Sequence, residues 1–136
     1  MATYNKFNQT AEDMANGVYN CATDQFTVAL TVAAPVATNT VLANLTEIAY
    51  TNLSSRNLTT ASSGQTSGTF TQLFSDLVLT ASGGNIAAFR YITIYDNTPT
   101  SPADPLLCFY DYGSSLTLLD GETLTIDFTT STFTLA

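Results

Sequence analysis

Hydrophobic and polar residues alternate along most of the chain, with the period of a β-strand. In "QFTVALTV" (residues 25–32), Phe26, Val28 and Leu30 alternate with threonine and alanine, so one face of the predicted strand is apolar and the other is small. Pro35 follows and ends the strand, because proline cannot donate a hydrogen bond to a neighbouring strand. The pattern predicts a strand with its Phe26 face in the core.

A pair of aromatic runs predicts a hairpin. The runs are "AFRYITIYD" (residues 88–96) and "LLCFYDYG" (residues 106–113), and a proline-broken loop separates them. Alternation puts Arg90 on one face of the first run and Tyr91 with Tyr95 on the other. Because both faces carry large side chains, we expect one face to fill the core and the other to meet the N-terminal helix or another protein chain.

A second hairpin is predicted around Asp120-Gly121, which is a strong two-residue turn signal. Alternating apolar residues flank this turn: Leu116, Leu118, Leu124, Ile126 and Phe128. Shorter strands are predicted from Phe70, over residues 77–80 and around Thr46–Tyr50.

The only helix signal lies near the start of the chain. Thr10 is the predicted N-cap, acidic residues follow it in the first turn, and Gly17 stands where a left-handed C-cap is needed. This pattern predicts a helix of about two turns over Ala11–Asn16, within an N-terminal arm of residues 1–17. Residues 51–69 are rich in Ser, Thr, Asn and Gly and are predicted to form a flexible loop or edge region.

Together these elements predict an all-β fold: a single-domain β-sandwich, residues 1–136, of about eight short strands with one short N-terminal helix. A chain of 136 residues with 45% hydrophobic residues can bury a core without a disulfide or metal, and we expect no cofactor. The predicted core consists of Phe26, Val28, Leu30, Leu77, Leu79, Tyr91, Leu124, Ile126 and Phe128.

The charge balance excludes one large class of function. The chain has a net charge of −8, and its only basic residues are Lys6, Arg56 and Arg90. Contact with a phosphate backbone needs several clustered cations, so neither nucleic acid nor an anionic membrane surface is an expected partner. Charged residues make up only 10% of the chain, against about 25% in typical globular proteins, and such a surface costs little to desolvate on assembly.

The residues that could carry chemistry are few. The chain has no histidine, which excludes histidine-based nucleophiles and zinc sites. Cys21 and Cys108 lack a neighbouring cation and are expected to be inert reduced thiols in a cytosolic product, although their pairing stays open. Asp96 and Asp111 flank the proline loop and could act as a carboxylate pair, but turn capping is the favoured role. We therefore do not expect an enzyme.

Candidate interface residues come from the cations and exposed aromatics. Arg90 needs a partner, which is either a cross-strand carboxylate (Asp111 or Asp76) or a carboxylate of another subunit. The segment Ala2–Gly17 is interpreted as an attachment or intersubunit element, with capping of one end of the sandwich as the equal alternative. The candidate interface residues are Lys6, Phe7, Arg56, Arg90, Tyr95, Tyr110 and Tyr112.

Four stretches of the sequence resemble a group of small tailed-phage and prophage virion proteins that look like capsid decoration, or cement, proteins. The stretches are "MATYNKFNQTAEDMANGVYN", "VALTVAAPVATNTVLANLTEI", "QTSGTF" continuing into "LFSDLVLTASGGNIAAFRYITIYDNT", and "DPLLCFYDYGSSLTLLDGETLTIDF". Residues 51–66 depart from this pattern, because they are short of the Gly-rich hairpin that such proteins often carry.

The resemblance implies a structural protein on the capsid exterior of the virion, made in the host cytoplasm. It implies the major capsid protein as partner, a homo-oligomer that is commonly a trimer, and no catalytic residues. Two other classes share the acidic, Thr-rich β character. One is a tail or neck component, such as a tube, terminator or fibre-associated protein. The other is a glycan-binding or glycan-cleaving β-domain, which rests only on the tyrosines and carboxylates.

Overall fold

A computed structural model describes residues 2–129 and 131–136 of the chain and confirms an all-β fold with one short helix. The helix α1 spans Gln9–Ala15, and a 3₁₀ turn spans Leu42–Asn44. The strands of the described residues are β1 (Thr3–Lys6), β2 (Phe26–Thr31), β3 (Thr60–Thr66), β4 (Thr69–Phe74), β5 (Leu77–Thr80), β6 (Phe89–Asp96), β7 (Leu106–Leu116), β8 (Thr123–Ile126) and β9 (Phe133–Leu135).

The largest sheet has four antiparallel strands in the order β1-β7-β6-β2. Its centre is the predicted aromatic hairpin, in which Tyr95 lies opposite Leu106 and Tyr91 lies opposite Asp111. Every residue of β2 is buried, because the sheet is covered on both faces. The hairpin prediction is confirmed.

The first face of this sheet packs on two smaller sheets, which gives the predicted sandwich. The smaller sheets have the strand orders β3-β4-β9 and β5-β8. Phe26 of β2 lies 5.2 Å from Phe74 of β4, and Phe74 lies 5.8 Å from Phe128, measured between ring centroids. Of the predicted core, Phe26, Val28, Leu30, Leu79 and Phe128 are buried here, and Leu77, Leu124 and Ile126 are half-buried against them.

The second face of the four-stranded sheet carries a separate apolar cluster. Its buried members are Phe7, Ala29, Tyr95, Leu106 and Phe109, with Leu42, Leu45 and Tyr91 packed against them. Tyr91 was predicted for the sandwich core and lies in this second cluster instead. Strict alternation would put Phe89 on the same face as Tyr91, but a register shift between the two moves Phe89 into the first cluster.

The N-terminal segment is packed into the fold, and its interpretation as an attachment or intersubunit element stays a prediction. β1 pairs with β7 along its whole length, and Phe7 is fully buried, with its ring 5.1 Å from that of Phe109. The predicted N-cap is wrong: Asn8 is at the N-cap position of α1, without a side-chain hydrogen bond to the helix, and the Thr10 hydroxyl donates to the Leu107 carbonyl at 2.7 Å. Gly17 follows the helix with φ +71°, the left-handed conformation that was expected.

The segment 51–69 contains an edge strand, which confirms the edge alternative for its second half. β3 lies at the edge of its sheet and forms a hairpin with β4. The connection is Ser67-Gly68, and both residues have positive φ (52° and 85°), as a type I′ turn requires. The first half of the segment, residues 51–59, contacts β2. There Leu58 is buried, and its N–H donates to the Phe26 carbonyl.

The hairpin predicted at Asp120-Gly121 is wrong, although the chain does turn there. The Glu122 N–H donates to the Leu119 carbonyl, and of the two central residues only Gly121 has a positive φ (87°). This conformation fits a type II turn, which splays the flanking segments. β8 therefore pairs with β5 rather than with the preceding segment. The strand predicted around Thr46–Tyr50 is reduced to one bridge, between Glu47 and Thr31.

Candidate functional site

Two of the predicted interface tyrosines line a cleft at the side of the sandwich. Tyr110 and Tyr112 of β7 line it together with Ala2 and residues 124–129. Ile92 of β6 also lines the cleft, which has a volume of about 640 Å³. We call this feature the tyrosine cleft. Its lining is apolar and aromatic, with a few hydroxyl groups, which is the composition of a binding surface more than of a reaction centre.

Aromatic side chains continue from the cleft onto the neighbouring surface. Tyr4 of β1 packs edge-on against Tyr110, with ring centroids 5.6 Å apart. Tyr4 is 43% exposed and Tyr112 is 40% exposed. Burial raises the pKa of Tyr4 to about 12 and also raises the pKa of Tyr110. These hydroxyls therefore stay protonated and offer hydrogen bonds without charge.

The charge beside the tyrosine cleft is negative. Arg90 forms two hydrogen bonds with Asp111, at 2.8 and 2.9 Å, and this pairing lowers the pKa of the Asp111 carboxyl. The cross-strand partner predicted for Arg90 is thereby confirmed, and its guanidinium is already neutralised within the chain. Asp127 is exposed on the cleft lining. Among the described residues, it has no ion-pair partner.

Two of the predicted interface residues are not on the surface. Phe7 is 0% exposed and Tyr95 is 5% exposed, and both pack in the second cluster beneath Leu42 and Leu45. They cannot contact a partner in this conformation, so they are removed from the candidate surface. Lys6, by contrast, is exposed at the end of β1.

Arg56 was predicted at an interface, but its side chain is used within the fold. The guanidinium lies 3.6 Å from the ring centroid of Tyr50 and 3.6 Å from the Glu47 carboxylate. One of its nitrogens also donates to the Val28 carbonyl on the outer edge of β2, the edge that does not pair with β6. Arg56 thus holds the segment 47–56 onto this edge.

We expect Arg56→Ala to lower the free energy of unfolding by about 1–3 kcal/mol, because a hydrogen bond to Val28 and the stacking on Tyr50 are both lost. Arg56→Lys should restore only part of this stability, since an ammonium group cannot stack as a plane. Urea unfolding of the three proteins measures the differences. Unchanged stability in Arg56→Ala would contradict the internal role.

Asp96 and Asp111 do not form the carboxylate pair that was considered as a catalytic arrangement. Asp111 lies opposite Tyr91, which is five residues from Asp96 along β6, so the two carboxylates are roughly 17 Å apart along the sheet. Asp96 instead caps the turn that follows β6, where its Oδ1 accepts the Thr98 N–H at 3.0 Å. The turn interpretation is confirmed for Asp96.

A different acidic pair, Asp24 with Asp96, was not predicted. Asp96 lies opposite Phe26 in the sheet, and Asp24 precedes Phe26 by two residues. Asp96 is fully buried, and its Oδ2 has no hydrogen-bond partner among the described residues. Burial raises the pKa of Asp96 to about 7; the Thr98 N–H opposes this rise, and the nearby Asp24 carboxyl adds to it. The sequence shows one aspartate two residues before β2 and another at the end of β6, but only the pairing of these two strands brings the carboxylates together.

The two cysteines are free and buried, as predicted. Burial raises the pKa of Cys21 to about 11 and that of Cys108 to about 12. Both thiols are therefore protonated at neutral pH, and a protonated thiol is a poor nucleophile.

Within residues 2–129 and 131–136, no three of the Cys, Asp and Glu side chains are grouped to hold a metal ion. The same residues contain no helix that is long and apolar enough to cross a membrane. Comparisons with protein-family models, with curated proteins and with solved structures find no match to the chain.

Proposed function

We propose that the protein is a structural virion protein that decorates the outside of a phage head and stabilises the shell. It binds the major capsid protein as a homo-oligomer, most simply a trimer at a position of local three-fold symmetry. The four sequence stretches that resemble decoration proteins are the origin of this proposal.

The tyrosine cleft is the observation that supports it best. Tyrosine is enriched at protein interfaces because its ring supplies large contact area and its hydroxyl supplies a hydrogen bond. Exposed Tyr4 and Tyr112 flank the half-buried Tyr110, so the aromatic surface lies on one side of the molecule. The low content of charged residues in the chain, 10%, reduces the desolvation cost of contact with a shell.

The proposal is tested with heads of the phage or prophage that carries the coding sequence, prepared without this protein. We expect the purified protein to co-sediment with these heads and to raise the temperature at which they open. Tyr112→Ala should weaken co-sedimentation by about tenfold or more, as expected for an interface aromatic. Val78→Ala is the matched control, because Val78 is 49% exposed on β5, which does not line the cleft. Equal binding of both variants would remove the cleft from the shell contact.

The number of copies per particle separates this role from that of a tail or neck component. Hundreds of copies in quantitative mass spectrometry of whole particles support decoration of the head. One ring or a few rings of copies would place the protein in the neck or tail and overturn the proposal.

A further inference from the structure

The β8 strand has an edge that no strand of the described residues covers, and this edge borders the tyrosine cleft. β8 belongs to a two-stranded sheet and pairs only with β5 among the described residues. Residues of β8 line the cleft, whereas no residue of β5 does. The uncovered edge and the aromatic surface are therefore on the same side of β8.

Hydrogen bonds at the two ends of β8 show which backbone groups are free. The Ala81 N–H donates to the Glu122 carbonyl before β8, and the Phe128 N–H donates to the Asp76 carboxylate after it. In an antiparallel ladder, residue pairs that are hydrogen-bonded alternate with pairs that are not. Because Glu122 forms a bonded pair with Ala81, every second residue after it, Leu124 and then Ile126, also directs its backbone N–H and C=O groups towards β5. The N–H and C=O groups of Thr123 and Thr125 then face away from β5, ready to pair with another strand.

The edge carries few of the features that discourage strand addition. β8 has the sequence "TLTI", with no charge and no proline, whereas exposed edges are commonly protected by lysine, proline or a bulge. Leu124 and Ile126 are half-buried and face the core, so the strand has one apolar face. A strand added beside β8 would extend this apolar face over the open side of the sandwich.

From these observations we propose that β8 binds an extended segment of a partner protein as an added strand. Alternate apolar side chains of this segment enter the tyrosine cleft, and a basic residue beside them meets Asp127. Main-chain hydrogen bonds then provide affinity, and the cleft provides selectivity, as in other cases of strand addition. The identity of the partner as the shell protein rests on the proposed function; the binding mode does not.

Charge favours a different protein over a second copy of this chain as the occupant. The chain has a net charge of −8, and both of its arginines are paired with its own carboxylates. A second copy offers only Lys6 as a further cation against a net charge of −8, so it would bring mainly like charge to Asp127, whereas a segment that carries lysine or arginine is attracted to it.

Capped synthetic peptides test the proposal without any particle. The probe is Lys-Thr-Val-Thr-Trp-Thr-Lys, and its acidic counterpart has glutamate at both ends. The chain contains no tryptophan, so tryptophan fluorescence reports only the peptide. We expect the basic peptide to bind at least about tenfold more tightly than the acidic one at low salt, and this ratio to shrink as salt screens the charges. Bound peptide should slow amide hydrogen exchange at Thr123 and Thr125.

Matched variants separate the backbone contribution from the side-chain contribution. Thr125→Pro removes an outward N–H at an edge position that tolerates proline, and it should weaken peptide binding by about tenfold or more. Thr125→Val keeps the N–H and should bind like the original chain. Tyr112→Ala should weaken binding, whereas Tyr112→Phe should not. If Thr125→Pro does not fold, two other measurements test the proposal: hydrogen exchange at Thr123 and Thr125 of the original chain, and the comparison of Tyr112→Ala with Tyr112→Phe.

Three results would overturn the proposal: no binding of the basic peptide at millimolar concentration, equal binding of the basic and acidic peptides, or slowed exchange at another edge such as β3 in place of β8. The experiments distinguish a failure of strand addition from a failure of the proposed function. Peptide binding without binding to heads refutes head decoration alone. Binding to heads that Thr125→Pro leaves unchanged shows that β8 is not the contact with the shell, and it refutes the shell protein as the occupant of β8.

Discussion

Replacement of Asp96 by asparagine should raise the free energy of unfolding by about 1–3 kcal/mol near pH 8. In the native chain the carboxylate is fully buried, one of its oxygens has no hydrogen-bond partner among the described residues, and Asp24 lies nearby. Asparagine removes the buried charge and keeps an oxygen that accepts the Thr98 N–H.

The effect has a defined dependence on pH. Burial raises the pKa of Asp96 from 3.8 to about 7, so between these values the native state binds a proton that the unfolded state has lost. Stability from this group is fully present below about pH 4 and is lost as the pH rises through about 7. The pKa of Asp111 is shifted in the opposite direction by Arg90, so its contribution is lost only as the pH falls below the ordinary range of an aspartate.

Urea unfolding at a series of pH values tests this prediction. The original chain should lose stability between about pH 4 and pH 7, and Asp96→Asn should flatten this slope. Asp24→Asn is the control: it should have a smaller effect in the same direction, because Asp24 is only half-buried and asparagine can still accept the Asn20 N–H. A destabilised Asp96→Asn at pH 8, or an unchanged slope, contradicts the prediction.

The central strands could be predicted from the sequence because β2 alternates over six residues and because β6 and β7 are long runs of large side chains. The pairing of β6 with β7 follows from the loop that joins them, whereas the pairing of β2 with β6 was not predicted. Edge elements gave weaker signals. β1 has no large aliphatic residue, and β9 spans three residues, so neither reached the length at which alternation is informative.

The remaining errors came from details that alternation does not contain. The dipeptide Asp120-Gly121 marks a turn, but its backbone conformation decides whether a hairpin follows, and that conformation depends on the pairing of Leu118 with Ile86 and of Gly121 with Ala81. A register shift between Phe89 and Tyr91 likewise changed the face on which Phe89 lies.

The candidate surface could be predicted from the sequence only in part. Alternation showed that β6 and β7 have two large-residue faces, and Tyr110 and Tyr112 are indeed accessible beside the cleft. It did not show what covers each face, so Tyr95 was assigned to the surface although the segment around Leu42 and Leu45 covers it. The acidic pair was missed because its two members become neighbours only through the pairing of β2 with β6.

The N-terminal segment provides the prediction with the largest expected loss of stability. Phe7→Ala should lower the free energy of unfolding by about 3–5 kcal/mol, the usual cost of emptying a fully buried phenylalanine site. Phe7 has no exposed surface and packs against Phe109, and its loss would open the second cluster where β1 joins the sheet. This amount is a large fraction of the roughly 5–15 kcal/mol that stabilises a typical domain.

Two matched variants show whether the loss comes from packing in the second cluster. Phe7→Leu retains most of the apolar volume and should cost less than half as much, whereas Tyr4→Ala changes an exposed aromatic residue in the same segment and should cost less than about 1 kcal/mol. Chemical denaturation of the four proteins gives the comparison. A chain that starts at Val18 lacks β1, Phe7 and α1. Because β7 would then lose one of its two neighbouring strands and the second cluster would lose its largest fully buried side chain, we expect this chain not to fold cooperatively. Near-native stability of that truncated chain would show that the segment is a separable attachment element after all.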